Sequence, residues 1–242
     1  MKHIIVGLWL ALAASASADL LFQDDFSYAN GLTTNVASGI WLHHSGAGDS
    51  TISSGALQVN GSRSEDVNRP LGSVYSSGTL YYSLNLRVTG LPNNTGTYIA
   101  HLQNTTAGTH VDRLWIRTNG VAAAGNFVIG VGNNSGVSTV WGSDLSLNTD
   151  YLVVVGANLS TDQIQLWVNP VDFSSLSVTV TDAAFVNPDA FAFRQASGGG
   201  SVLVDSVAVG TDFDSVVVPE PGTLALLGIG FGALVLRRRR QA

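Results

Sequence analysis

Thr79-Leu80-Tyr81-Tyr82-Ser83-Leu84-Asn85-Leu86-Arg87-Val88 alternates throughout: Leu80, Tyr82, Leu84, Leu86 and Val88 fall on one side of an extended chain, and Thr79, Tyr81, Ser83, Asn85 and Arg87 on the other. A period of two residues belongs to a strand, because successive side chains of an extended backbone point to opposite faces. A helix would instead need apolar residues three and four apart. The first set is therefore the core side of a half-buried strand and the second its outer side.

Working outward, similar short runs recur at 20–28, 39–43, 56–59, 97–102, 111–117, 127–131, 151–158, 163–168, 176–180, 190–194 and 202–209. Turn-forming clusters lie between them, among them Gly90-Leu91-Pro92-Asn93-Asn94 and Gly132-Asn133-Asn134-Ser135-Gly136. Many short strands separated by turns, with helical periodicity confined to the chain ends, predict an all-β fold of two antiparallel sheets packed as a jelly-roll sandwich. The segments 147–154 and 161–170 read as one hairpin within it.

Composition narrows the function. Residues 19–217 are enough for one domain with a sizeable core. They hold six arginines and no lysine against sixteen acids, a formal charge of −10, which excludes nucleic acid as a partner because phosphate binding needs a net positive surface. Fifteen of those acids are Asp, a residue of turns rather than helices. Cysteine is absent, so thiol chemistry is excluded and stability rests on packing and hydrogen bonds.

The two ends carry export signals. Lys2, the apolar run 4–14 and the small residues ending in Ala16-Ser17-Ala18 have the layout of a secretory signal peptide over residues 1–18, with cleavage expected before Asp19. At the other end Pro219-Glu220-Pro221 precedes an uncharged run, 223–236, and then Arg237, Arg238, Arg239 and Arg240. The prolines cannot donate backbone hydrogen bonds and so separate the domain from the apolar run. Fourteen helical residues rise about 21 Å, short of a hydrocarbon core of about 30 Å, so a transmembrane helix here relies on arginine snorkelling and on flanking apolar residues. The four arginines should stay cytoplasmic and leave the domain outside.

Pro-Glu-Pro, apolar helix and terminal arginine cluster, in that order over residues 218–242, resemble the PEP-CTERM sorting signal of Gram-negative bacteria. The resemblance implies an exosortase-type membrane protease as partner, an inner-membrane intermediate held by the C-terminal helix, and delivery to the cell surface or an exopolysaccharide matrix. The Asn148-Thr149-Asp150-Tyr151 start and the Val168-Asn169-Pro170 end of the central hairpin are similar to laminin-G-like, concanavalin A-like domains. Phe22-Gln23-Asp24-Asp25-Phe26 and Val204-Asp205-Ser206-Val207 resemble the first and last strands of that architecture. The likeness implies that first and last strands lie side by side, and it suggests a structural calcium at Asp24, Asp25 and Asp205, whose hard oxygens suit that ion.

Candidate chemistry is sparse. Jelly-roll glycosidases need two carboxylates flanking one bond, whereas this domain holds a single glutamate, Glu65, whose neighbour Asp66 would face the other way on a strand. Polysaccharide lyases of similar fold use a His or Tyr base with Arg and Gln. His101 and Gln103 share a strand face, without the surrounding motifs of those enzymes. His43 and His44 diverge on a strand and so do not form a joint metal site. No catalytic residue is therefore assigned. For glycan binding, Tyr81, Asn85 and Arg87 on one strand and Arg113, Trp115 and Arg117 on another would surround aromatic platforms with guanidinium groups, if both strands line one concave sheet; such a groove suits an acidic extracellular polysaccharide. The sequence thus points to a non-catalytic exported surface or matrix protein with glycan contact, the alternatives being a glycosidase or polysaccharide lyase on the same scaffold and a protein-binding adhesin.

Overall fold

The computed structural model describes residues 19–133, 136–183 and 186–217; the expected signal helix and the expected transmembrane helix of the sorting tail lie outside the described residues. In chain order the first strands are β1 (Leu20–Asp24), β2 (Gly31–Leu32), β3 (Leu42–Ser45), β4 (Thr51–Ser53), β5 (Ala56–Asn60) and β6 (Asp66–Pro70). Next come β7 (Thr79–Gly90), β8 (Thr97–Asn104), β9 (Thr109–Arg117), β10 (Asn126–Gly132), β11 (Thr139–Val140) and β12 (Leu145–Ser146). The last are β13 (Asp150–Asn158), β14 (Gln163–Val168), β15 (Ser177–Thr181), β16 (Ala190–Phe193) and β17 (Ser201–Gly210). Two four-residue helices, α1 (Thr33–Val36) and α2 (Phe213–Val216), are the helical elements among the described residues.

Sheet A runs β15-β14-β13-β7-β17-β5-β4-β2, with β1 also on β17; sheet B runs β11-β10-β9-β8-β16-β6-β3, with β12 also on β10. All pairings are antiparallel, as a jelly roll requires. First and last strands pair, Asp24 opposite Val207. The central hairpin forms as its sequence predicts, β13 turning into β14 with Asn158 opposite Gln163.

β7 sits in the middle of sheet A between β13 and β17, and its alternation is obeyed. Leu80, Tyr82, Leu84, Leu86 and Val88 are each at most 1% exposed between the sheets. Burying each such side chain contributes about 1.5–3 kcal/mol relative to leaving it in water. The Tyr82 hydroxyl, which is deep in this layer, donates to the Asp112 carbonyl at 2.6 Å, so the polar tip enters the core satisfied. Sheet B answers with Ile99, Leu102, Leu114, Ile116, Ile129, Phe191 and Phe193.

At one end of the sandwich Trp41, Phe26 and Phe193 pack with ring centroids 5.3–6.1 Å apart. Beside them Asp24 gathers four donors. Its Oδ1 accepts from the Phe26 amide at 2.8 Å, and its Oδ2 from the Tyr28 hydroxyl at 2.8 Å, Trp41 Nε1 at 2.9 Å and Arg69 Nη1 at 3.2 Å.

Two strands bend where their alternation breaks. Asp112 adopts φ 51 in β9, an αL conformation that Asp tolerates, and it puts His110 and Arg113 on one side of the strand although they are three residues apart. In β8 the register slips between Tyr98 and Ala100, so Tyr98 and His101 likewise share a face.

Candidate functional site

The two strands expected to line one groove stand in different sheets: β7 lies in sheet A and β9 in sheet B. Tyr81, Asn85 and Arg87 point out of the sandwich on one side, and Arg113, Trp115 and Arg117 on the other. This corrects the expectation of a shared concave face, and the reason is topological. Alternation tells which residues of a strand face outward, but not which sheet the strand joins.

On sheet A, Arg87 is engaged by an acid. It forks onto Asp150, with Nε 2.7 Å from Oδ1 and Nη2 on Oδ2, and this partner raises the guanidinium above its already high ordinary value while lowering Asp150. The groove around it, about 260 Å3, is lined by Asn85, Arg87, Asp150 and Asp205, two acids against one arginine. An anionic chain finds little there.

The calcium set does not fit either. Asp24 Oδ2 is filled by three donors, one of them the Arg69 cation, and the Asp25 carboxylate caps the Ser27 amide at 3.1 Å. Asp205 lines the outer groove of sheet A, on the far side of that sheet from the Asp24 carboxylate. Among the described residues no group of three or more His, Asp or Glu could hold a metal ion.

The outer face of sheet B is different. From β8, β9 and the end of β16 it carries Tyr98, His110, Arg113, Trp115, Arg117 and Arg194 over buried His101 and Gln103, joined from β3 by His44. Tyr98 is the centre. The Arg113 guanidinium sits 4.9 Å from its ring centroid, that of Arg194 4.3 Å, and the Trp115 ring 5.4 Å. Arg194 Nη1 donates to Thr97 Oγ1 at 2.6 Å and Arg113 Nη2 to the His110 carbonyl at 3.1 Å, which hold both guanidinium planes in position. Ala190 and Ala192 stand opposite Gln103 and His101 and leave the middle of the face low.

His101 and His110 are held in their neutral forms. His101 is fully buried, its ring 4.5 Å from His110 and 5.3 Å from Tyr98, and burial first and His110 second push it well below the ordinary histidine value. His110 is pushed down to about 4 by burial and by the positive field of Arg113, His44 and Arg194. The three arginines carry the permanent positive charge of this face.

The acids that act on the face are engaged at its margins. Asp66 accepts from Ser45 Oγ at 3.1 Å and the Gln195 amide at 2.9 Å, and burial raises its pKa; Asp182 accepts from the Asn133 amide at 2.7 Å. Glu65, 1% exposed, is a structural tie, accepting the Ser50 amide at 2.6 Å and bonding His43 Nδ1 at 3.0 Å. His43 is thus held by Glu65, while His44 turns toward His110 with their rings 5.7 Å apart.

Beneath and within this surface lie polar atoms that no protein group satisfies. Among the described residues both ring nitrogens of His101, both amide atoms of Gln103, Trp115 Nε1 and Arg117 Nε are buried without a hydrogen-bond partner. Gln103 is near enough to favour protonated His101 electrostatically, but the geometry falls short of a hydrogen bond. Orphaned buried polar groups are rare in folded proteins, and their concentration under one surface sets this face apart from the rest of the domain. Sequence reasoning found Arg113, Trp115 and Arg117 by alternation. It missed Tyr98, His110 and Arg194 because the two bulges and the β16 pairing that assemble them leave no mark in the periodicity.

At the end of the chain, residues 217–240 match the PEP-CTERM protein-sorting motif. The motif implies exosortase-dependent export with membrane-associated sorting. No curated protein matches the chain. Solved structures share the fold. The Emp47p carbohydrate recognition domain is 9% identical, with a TM-score of 0.52 over 82% of this chain and 99% of that one. The CBM2 module of the evolved Dit of Lactobacillus casei BL23 phage J-1 is 14% identical, with a TM-score of 0.51 over 80% and 95%. A prokaryotic beta-1,3-1,4-glucanase (lichenase) derived from a mouse hindgut metagenome is 14% identical, with a TM-score of 0.50 over 79% and 99%. At these identities the likeness is one of fold, the lectin-like, concanavalin A-like jelly roll expected from the sequence.

Proposed function

We propose that this is an exported surface or matrix protein of a Gram-negative cell, delivered by a signal peptide and an exosortase, whose domain binds a carboxylated polysaccharide on the outer face of sheet B without cleaving it. One observation carries the binding reading: two guanidinium groups held over Tyr98, with Arg117 and Trp115 beside them and orphaned polar atoms below. Arginine's planar fork matches a carboxylate with two parallel hydrogen bonds, and the aromatic rings supply the apolar bed on which a sugar ring rests. The recruitment of Glu65 to structural hydrogen bonds supports a binding role over glycosidic hydrolysis, which needs two free carboxylates.

Affinity electrophoresis of the exported protein through gels cast with alginate, polygalacturonate or dextran tests this. Retardation is expected in at least one of the anionic gels, none in dextran, with loss of retardation as salt rises and an affinity about tenfold weaker in Arg117→Ala. Equal retardation in dextran, or an Arg117→Ala protein that runs like the parent, would sink the proposal. The second reading, a polysaccharide lyase on the same face, is favoured by neutral His110 next to the Tyr98 ring and three arginines, a set that can remove a proton next to a neutralised carboxylate. Unsaturated sugar ends appearing in the same incubations would select it.

A further inference from the structure

Sheet A carries a different chemistry on its own outer face. Across β7, β13 and β14, Tyr81, Gly156 and Gln165 form a row, with Tyr81 paired to Gly156 and Gly156 to Gln165. Gly156 has no side chain to interrupt it: a Cβ there would lie 2.9 Å from Tyr81 Cε1 and 3.3 Å from Trp167 Cζ3, so the tyrosine ring covers the glycine. The resulting groove, about 230 Å3, is lined by Thr79, Tyr81, Gly156, Asn158, Gln163, Gln165 and Phe173. None of the lining residues is charged.

Its floor and wall are aromatic. Fully buried Trp167 lies 6.4 Å from Tyr81 and 5.5 Å from Phe173, ring centroid to centroid, and its indole N–H has no partner among the described residues. Phe173 is 52% exposed, a large apolar ring left open to solvent on the groove's rim. Asn158 Oδ1 accepts the Ser160 and Thr161 amides and Gln165 Nε2 donates to Ser177 Oγ at 2.8 Å, which fixes both side chains; Gln163, Asn158 Nδ2 and Gln165 Oε1 offer donors and acceptors to hydroxyl groups.

We propose that this groove is a second saccharide site, for an uncharged sugar chain, with Tyr81 and Phe173 as the stacking surfaces and Asn158, Gln163 and Gln165 as the hydroxyl-binding groups. Exposed Val171 and Leu176 flank Phe173, and a lipid surface is the rival occupant. The amide row favours sugar, and Asp172 and Asp212 at the rim repel anionic headgroups; Asp212 is close enough to raise Tyr81 after burial has done so. The proposal is independent of the sheet B reading, because the two sites differ in sheet, in residues and in ligand charge. A domain with both would bridge an acidic and a neutral polysaccharide.

The test is a titration of the exported full chain, in detergent, with cellohexaose, mannohexaose and laminarihexaose, followed by tryptophan fluorescence, which Trp167 reports from directly beneath Phe173. Saturable binding of at least one hexasaccharide is expected. Phe173→Ala and Gln163→Ala, both at solvent-exposed positions, should weaken it at least about tenfold and leave retardation in anionic gels unchanged. Side-chain amide signals of Gln163 and Gln165 should shift on binding. Absence of binding by all three sugars overturns the proposal, as does binding that Phe173→Ala leaves intact. Loss of flotation with phosphatidylglycerol vesicles in Phe173→Ala, sugar affinity being unaltered, would assign the patch to lipid instead.

Discussion

Asp112 shows how one residue shapes the sheet B face and what that costs. Its αL backbone turns β9 so that His110 and Arg113 lie side by side, yet its carboxyl is buried and its pKa is raised to about 7 from 3.8, by burial first and then by the negative field of Asp162 and Asp182. The folded chain therefore holds a proton that the unfolded chain releases. Stability from this group is full below about pH 4 and falls as pH rises through about 7. His110 works in the opposite sense. Its folded value of about 4 lies below the ordinary 6.5, so its contribution is full above 6.5 and is lost as pH falls toward 4. Asn copies the neutral acid and tolerates the same backbone, so Asp112→Asn isolates the first effect. Thermal unfolding followed from pH 4 to 9 should find the variant equal to the parent near pH 4 and more stable above pH 7. A shift of this size is worth on the order of 4 kcal/mol. Parallel profiles would show that the carboxyl is not held protonated.

At the scale of elements, α2 closes the outer face of sheet A. Phe213 and Val216 cover Val154, Trp167 and Ala208, with Phe213 4.9 Å from Trp167 ring to ring, and Ser83 Oγ donates to the Val216 carbonyl at 2.7 Å. Phe213→Ala should cost about 3–5 kcal/mol and increase the exposure of Trp167, read as a red-shifted emission in the same unfolding experiment. A loss under about 1 kcal/mol would mean that α2 is frayed from the sheet. This helix was invisible to sequence reasoning, since four residues hold too little periodicity to register. β2, β11 and β12 escaped for the same reason, and β6, Asp66-Val67-Asn68-Arg69-Pro70, offers a single apolar residue to a period-two reading. The long strands were legible because each buries one whole face: β7, β13 and β14 stand within two residues of their expected limits. The site was half legible. Arg113, Trp115 and Arg117 follow from alternation in β9, whereas their companions depend on bulges and on long-range pairing, Gln103 with His110 and Ala192 with His101, which a single sequence does not encode locally.

At the scale of the whole molecule, the chain leaves the domain on one side and offers arginines on the other. Val217, the last described residue and the first of the sorting motif, packs with α2 on the outer face of sheet A. The Tyr98 cluster opens on the outer face of sheet B, across two sheets packed about 10 Å apart. If the membrane that holds the tail lies on the side where Val217 leaves the domain, the polysaccharide reaches sheet B from the opposite direction. Sorting and binding need not compete. The full chain reconstituted in phosphatidylcholine vesicles should thus bind alginate or polygalacturonate with the same affinity as protein released from the cell surface, and mass spectrometry of the released form should find a C-terminus near Pro219. Binding that is tenfold weaker on vesicles would mean that the membrane covers sheet B. An intact Arg240 in released protein would mean that delivery does not pass through cleavage at the Pro-Glu-Pro segment.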